Sequence, residues 1–181
     1  MIDWLTNLTK IDGRTIFLEL VDLAIVFGVA TVVYFFVRWA LVRSLRTLVM
    51  NTETRWDDEL VKAGVFGRIS HIAPAFVVYS GVNFFPDMAP QVTDGLRRAS
   101  VAVMVLVGAL ALSSVLTAAE AIYDSHAEYR KRPIKGYVQV VSILIYLVAG
   151  LLILAALMNR SPWIFVSGIG AMTAILLLVF R

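Results

Sequence analysis

Few residues in this 181-residue chain have the types and spacing that chemistry requires. The two histidines, His71 and His126, are far apart, and the chain has no cysteine, so the spacing typical of a zinc site is missing. The sequence also has no glycine-rich phosphate loop and no nucleophile motif. We therefore expect a protein that is not an enzyme and that needs no cofactor or metal.

Glu19 and Asp22 lie near the outer end of the first apolar segment, and they are the carboxylates that could do chemistry inside a membrane. Carboxylates that alternate with bases along membrane helices relay protons or couple ions to transport. No such series continues along the apolar segments of this chain, which disfavours a coupled transporter. We expect both side chains to extend to the outer membrane surface instead.

The composition explains why chemical groups are scarce, because 60% of the residues are hydrophobic and only 16% are charged. Soluble domains contain about 45–50% apolar and about 25% charged residues. A soluble core of this size cannot bury the excess, so the sequence predicts an all-α integral membrane protein. The net charge is only +3, and the basic residues lie at the ends of apolar segments, which argues against nucleic acid as a partner.

Five apolar segments are long enough to cross a membrane, which takes about 20 helical residues. They run from about residue 16 to 39, from about 69 to 85, and over 99–119, 137–158 and 163–180. The second segment carries His71 and Pro74 and gives the weakest signal. The last three contain no acidic residue, no basic residue and no histidine.

The distribution of lysine and arginine predicts the orientation, because cytoplasmic loops carry the excess of these residues. One set of connections, together with Arg181, holds 11 of the 16 basic residues, and the opposite set holds 5. The N-terminus is therefore expected outside the membrane and the C-terminus in the cytoplasm. Arg97 and Arg98 lie on the outer side, against the rule.

The longest cytoplasmic connection lies between the first and second segments. Leu41, Leu45 and Leu48 recur there at helical spacing. This pattern is typical of an amphipathic helix on anionic lipid, or of an extension of the first span. Thr54 and Asp57 then resemble a capping box, which predicts a second, short and solvated helix.

The connection between the fourth and fifth segments is only a few residues long. Ser161 is expected to act as the N-cap of the fifth helix, with Pro162 as its first residue. The last two spans are therefore expected to form a tight antiparallel hairpin.

The fifth segment differs from a plain lipid-facing helix, because its first half is rich in small residues. Ser167, Gly170, Ala171 and Ala174 lie on one helical stripe, which Gly168 widens. In lipid, small residues let helix backbones approach closely and pack by dispersion. The bulky second half would form a narrow hydrophobic throat in a ring of such helices, and such throats gate by dewetting. An ordinary helix–helix contact inside one bundle explains the same residues.

Residues 132–180, RPIKGYVQVVSILIYLVAGLLILAALMNRSPWIFVSGIGAMTAILLLVF, resemble a hairpin of the small-conductance mechanosensitive channel family. In that family the hairpin precedes a cytoplasmic domain. The WDD sequence at residues 56–58 and the count of five spans resemble members with two additional N-terminal spans. The resemblance is most specific over about the last quarter of the chain.

The resemblance implies a homoheptameric, weakly selective channel of the inner (cytoplasmic) membrane that opens under membrane tension and gives osmotic protection. Membrane lipids and permeating ions would be its partners. Residues 1–128 would form a sensor region of three spans, and residues 129–181 the hairpin of the fourth span and the pore-lining fifth span. The β and α/β domains of the family are absent here, so we expect this chain to be the membrane part of a longer protein.

Aligning GIGAMTA with the Gly/Ala segment of the family places Ala174 and Leu178 at its two constriction positions. The family has leucine at both, so Leu178 matches and Ala174 does not. Thr173 and Leu177 stand at positions that are often glycine in the family. The resemblance implies that the pore helices pack against one another through Ser167, Gly168, Gly170 and Ala171. It implies that the inner mouth of the pore is formed by Phe180 and Arg181.

A different class of function is also consistent with the residues. A non-conducting structural or scaffold membrane protein would use the small residues of the fifth segment only to pack its bundle. The channel requires contacts between copies of the chain that close a ring, whereas the scaffold does not.

Overall fold

The computed structural model describes residues 13–49, 56–86, 88–125 and 134–180, and within these ranges the chain forms helices and turns but no strand. The helices are α1 (Gly13–Val49), α2 (Trp56–Lys62), α3 (Val65–Ile69), α4 (Ile72–Gly81), α5 (Pro90–Ser125), α6 (Lys135–Leu157) and α7 (Pro162–Val179). A 3₁₀ turn, Val82–Phe84, follows α4. The prediction of an all-α fold is therefore confirmed for the described part of the chain.

Five helical segments in these ranges are long and apolar enough to cross a membrane. They are Phe17–Leu41, Val65–Phe84, Pro90–Asp124, Lys135–Leu157 and Pro162–Val179. All five predicted spans are thus present as helical segments, with ends that differ from the predicted ones by a few residues in most cases. The third differs most, because α5 continues for 36 residues.

The first span belongs to a single helix of 37 residues, α1. At about 1.5 Å per residue this helix is about 55 Å long, well beyond the roughly 30 Å of a hydrocarbon core. The segment that contains Leu41 and Leu45 therefore extends the first span and is not a separate surface helix. Thr54 lies outside the described residues, but the short helix predicted after it is present as α2.

The second span is interrupted between α3 and α4, and Pro74 explains the interruption. In a continuous helix Pro74 would have no N–H to donate to the Ser70 carbonyl, and its ring would clash with that carbonyl. In α4 it lies in the first turn, where an N–H has no helical partner in any case. The interrupted segment bonds locally instead, since Ser70 Oγ donates to the Gly67 carbonyl at 2.6 Å and His71 Nδ1 lies 2.8 Å from the same oxygen.

The main buried cluster lies where α1 packs against α4 and the start of α5. Its buried members are Val26, Ala30, Val78, Val82 and Met88. At Gly81 an added Cβ would lie 3.7 Å from a Val26 methyl group, so the two helices are already close to van der Waals contact. Small side chains permit this approach, which supplies dispersion energy that lipid contact alone would not.

The third span, α5, packs against both the second and the fourth spans, whereas the first span packs mainly against the second. Helix α5 contacts α2, α3, α4 and α6. At its start, Glu19 Oε1 of α1 accepts a hydrogen bond from the Ala89 backbone N–H at 3.2 Å. Glu19 therefore joins two spans in addition to lying near a span end. Arg97, which opposes the charge rule, donates a hydrogen bond to the Asn83 amide oxygen.

The turn after α6 ends that helix with a Schellman motif. The N–H of Arg160 donates to the Ala155 carbonyl at 2.9 Å, and the N–H of Asn159 donates to the Ala156 carbonyl at 3.2 Å. Asn159 adopts a positive φ of 52°, the left-handed conformation that this motif requires. Asparagine tolerates that conformation better than most residues with a side chain.

The last helix begins as predicted, with Ser161 as N-cap and Pro162 as the first helical residue. The Ser161 side chain makes no capping hydrogen bond, however. The contacts between α6 and α7 are few, and the only half-buried residues of α7 are Pro162 and Phe165 in its first turn. The short connection is confirmed, whereas close packing along the hairpin is not present within the single chain.

We expect Asn159→Val to lower the free energy of unfolding by about 1–2 kcal/mol, because a β-branched residue is strained at positive φ. Asn159→Gly should leave stability unchanged or raise it. Unfolding of the purified protein in mixed micelles, followed by loss of helicity, measures both. Arg160→Val is the control, since Arg160 does not have a positive φ. Equal losses at the two positions would contradict the strain explanation.

Candidate functional site

The predicted site residues lie on α7, and almost all of this helix is exposed in the single chain. Every residue from Val166 to Phe180 is exposed, with Leu178 at 74% and Phe180 at 84% of full accessibility. The exposed set includes the packing candidates Ser167, Gly168, Gly170 and Ala171, and the constriction candidate Ala174. Arg181 lies outside the described residues. No other described element covers these side chains.

The geometry of α7 brings the small residues and the proposed constriction to one face. A helix turns by about 100° per residue, so positions separated by four, three and four residues are aligned. That spacing is shown by Ser167, Ala171, Ala174 and Leu178. The first and last of these positions are 11 residues apart, which is about 16 Å along the axis.

Gly168 and Gly170 flank this face on its two sides. A Cβ added to either glycine would meet no atom within 4 Å. Close packing inside the described chain therefore does not explain why glycine stands at these two positions. Any neighbour that the glycines accommodate has to come from outside the described part of the chain.

The polar side chains of α7 are bonded to the backbone of their own helix. Ser167 Oγ donates to the Ile164 carbonyl at 3.0 Å, and Thr173 Oγ1 donates to the Ile169 carbonyl at 2.9 Å. The hydroxyl protons are therefore already used, and the helix carries no charged residue from 162 to 180. A lining made of such helices would offer water and ions few groups that replace their hydration.

Small residues do mediate a close contact inside the chain, but between α5 and α6. Ala109 of α5 and Ala149 and Ala155 of α6 are buried. Tyr146 of α6 donates a hydrogen bond to Ser113 Oγ of α5 at 2.9 Å. An ordinary contact within one bundle therefore accounts for the small residues of these two helices. Within the described chain, the small residues of α7 take no part in such a contact.

Sequence reasoning missed a cavity lined by basic side chains. It has a volume of about 350 Å³ and is bordered by Arg38 of α1, Arg68 of α3 and His71 of the interrupted second span. Arg68 Nη1 also donates to the Leu110 carbonyl of α5 at 2.7 Å. The sequence signal for this cavity is the presence of Arg68 and His71 close to Pro74 in the weakest apolar segment. The proline interrupts the helix at that point.

Metal-binding side chains are sparse in the described residues. In residues 13–49, 56–86, 88–125 and 134–180, no three His, Asp or Glu side chains are grouped closely enough to hold a metal ion. His126 lies outside the described residues. The histidine that is described, His71, packs against the Tyr34 ring with a centroid distance of 5.0 Å.

No protein-family model matches the chain, and no solved structure matches it. The resemblance to the mechanosensitive channel family therefore stays a prediction from the residues of the last two spans.

We expect Gly168→Ala and Gly170→Ala to leave the isolated chain at least as stable as the parent. The added methyl group has open space, and alanine favours a helix over glycine by up to about 1 kcal/mol. Ala155→Leu is the contrast, because Ala155 is 3% exposed and overpacking there should cost about 1–3 kcal/mol. Unfolding in detergent, under conditions where the chain is monomeric, measures all three. A clear loss of stability at either glycine would contradict the open surface described above.

Proposed function

We propose that the protein is a mechanosensitive ion channel opened by membrane tension, and that α7 lines its pore in a ring of identical copies. The observation that carries this proposal is the exposure of α7. It is an apolar helix with a continuous face of small residues, and no other described element of its own chain covers it.

The glycines favour a protein neighbour over lipid for this helix. Each glycine in a helix costs about 0.8–1.0 kcal/mol relative to alanine. Lipid chains adapt to any helix surface, so contact with lipid gives no reason for glycine. A second helix that packs closely against Gly168 and Gly170 gains dispersion energy, and this offsets the lower helix propensity. A second copy of α7 presents the same thin faces, so copies arranged about one axis cover one another. The number seven comes from the family resemblance alone.

Leu178 is the proposed gate of this ring. It shares a face with the small residues, and it is the first bulky residue on that face after Ser167. A ring of leucines narrows a pore and repels water, so it closes the path without any charged group. Ala174, one turn earlier, carries a single methyl group and leaves the path wider. Phe180 and Arg181 would form the inner mouth.

Tension would act through the difference in area between the closed and open states, because a force in the membrane plane favours only the wider state. Residues 1–128 would be the part that senses lateral pressure in the lipid. The turn of a few residues after α6 is short enough to pass a tilt of α6 on to α7. Separation of the Leu178 side chains would then wet the throat.

We place the N-terminus outside and the C-terminus in the cytoplasm, in the inner membrane, on the strength of the charge distribution and the family resemblance. Selectivity is weak under this proposal, because α7 offers no charged ring. Arg181 at the mouth would bias the current toward anions. Lipids and permeating ions are the expected partners.

A non-conducting scaffold is the alternative, and the same exposed face would then bind a different membrane protein. Cysteine crosslinking separates the two functions, and it needs no background removal because the chain has no cysteine. We expect Gly168→Cys and Ala171→Cys in native membranes to give ladders of crosslinked copies up to a closed ring. Leu176→Cys, on the opposite side of the helix, is the control. Products no larger than a dimer would favour the scaffold.

Leu178→Ser should lower the tension at which the channel opens, because a hydroxyl makes the throat easier to wet. Patch-clamp recording from liposomes with suction steps measures the threshold and the resting leak. Leu176→Ser is the matched control, since it makes the same change on the opposite face. If Leu178→Ser has the parental threshold and leak, Leu178 is not the gate.

A further inference from the structure

The basic cavity lies at the predicted end of the first span and is independent of α7. Arg38, which borders it, is next to Trp39, the residue expected to mark the membrane boundary. The other wall is the interrupted second span, with Arg68 and His71. Two arginines and a histidine therefore face one space of about 350 Å³.

The described hydrogen bonds of the two arginines are all to neutral oxygens. Arg38 Nη1 donates to the Tyr34 hydroxyl at 2.8 Å. Arg68 Nη1 donates to the Leu110 carbonyl and to the Ser114 hydroxyl. None of the described residues that border the cavity is a carboxylate. The positive charge of this site is therefore solvated by dipoles but is not neutralised within the described structure.

Arg68 lies at the predicted boundary of the second span, and its exposed side chain reaches Ser114 of the third span. Ser114 is five residues inside the predicted end of the third span at residue 119. This corresponds to about 8 Å along the helix. A cation between the boundary and this depth is stabilised by pairing with an anion or by water. An anionic group in the cavity would supply the missing pair.

The cavity wall leaves room for such a group. Gly64 and Gly67 border the space, and a Cβ added to either would meet no atom within 4 Å. Gly64 has a positive φ of 72°, which turns the chain between α2 and α3 and places α3 beside the cavity. The first turn of α4 begins at the same place without a side-chain cap, so its N-terminal dipole adds to the positive potential.

We propose that this cavity binds a phosphate group through Arg38 and Arg68. Guanidinium groups bind phosphate oxygens through paired N–H donors, and the cavity offers two such groups without a competing carboxylate. The position at the predicted membrane boundary fits the phosphate of a lipid headgroup. A small soluble phosphate ester has the same chemistry. The site lies among the first three spans, so it does not depend on the pore proposal.

The test is native mass spectrometry of the full chain in a neutral detergent. Three probes are compared, namely phosphatidylglycerol, a diacylglycerol with the same acyl chains but no phosphate, and glycerol phosphate without lipid. We expect phosphatidylglycerol to be retained in preference to the diacylglycerol. Arg38→Gln and Arg68→Gln should each weaken retention about fivefold, since one arginine contributes about 1 kcal/mol to the binding of an anionic headgroup.

Two further variants keep the test decisive. Arg160→Gln removes an exposed arginine far from the cavity in sequence and should leave retention unchanged. Gly67→Leu keeps both charges but fills the cavity, so it should also reduce retention. It gives an answer even if Arg68→Gln fails to fold because the contact with α5 is lost.

Each outcome decides the proposal. Retention of phosphatidylglycerol that depends on the two arginines supports a lipid phosphate site. Binding of glycerol phosphate with the same dependence, and as strong as that of the lipid, supports the site and identifies a soluble phosphate as its source. Equal retention of phosphatidylglycerol and diacylglycerol, or variants that behave like Arg160→Gln, would overturn the proposal.

Discussion

An apolar side chain gains nothing when it exchanges lipid for protein, so helices in a bilayer associate through close backbone approach and a few polar contacts. The described structure follows this constraint. Gly81 lets α4 approach Val26 of α1, and buried alanines join α5 to α6. Polar contacts then fix the register, as in the hydrogen bond from Tyr146 to Ser113. In this arrangement α5 packs against the second and the fourth spans, and the second span in turn holds the first.

The same constraint sets α7 apart. It has the small residues that close association requires, yet the rest of the described chain does not use them. The first four spans share contacts that hold them in one arrangement, while α7 is attached mainly through the turn at Asn159. Under the proposed function, other copies of the chain would complete the packing of this helix.

Periodicity and composition were enough to predict that the chain is helical and has five candidate spans, because length and hydropathy depend only on local sequence. The weak second span was visible for the same reason, since Pro74 acts on the carbonyl four residues before it. The partners of Glu19 and Arg68 could not be predicted, because hydrophobic pattern does not say which helix faces meet. In the same way, the sequence of α7 shows which residues share a face but not which helix packs against that face.

The length of α5 determines how much of this helix stands outside the lipid. With 36 residues, α5 is about 54 Å long, whereas its stretch without charged residues, 99–119, is about 32 Å long and matches a hydrocarbon core of about 30 Å. Hydrophobic mismatch costs a fraction of a kcal/mol for each ångström, so this stretch favours a bilayer of typical thickness. The remaining turns, which carry Arg97 and Arg98 at one end and Glu120 and Asp124 at the other, therefore project beyond the lipid on both sides.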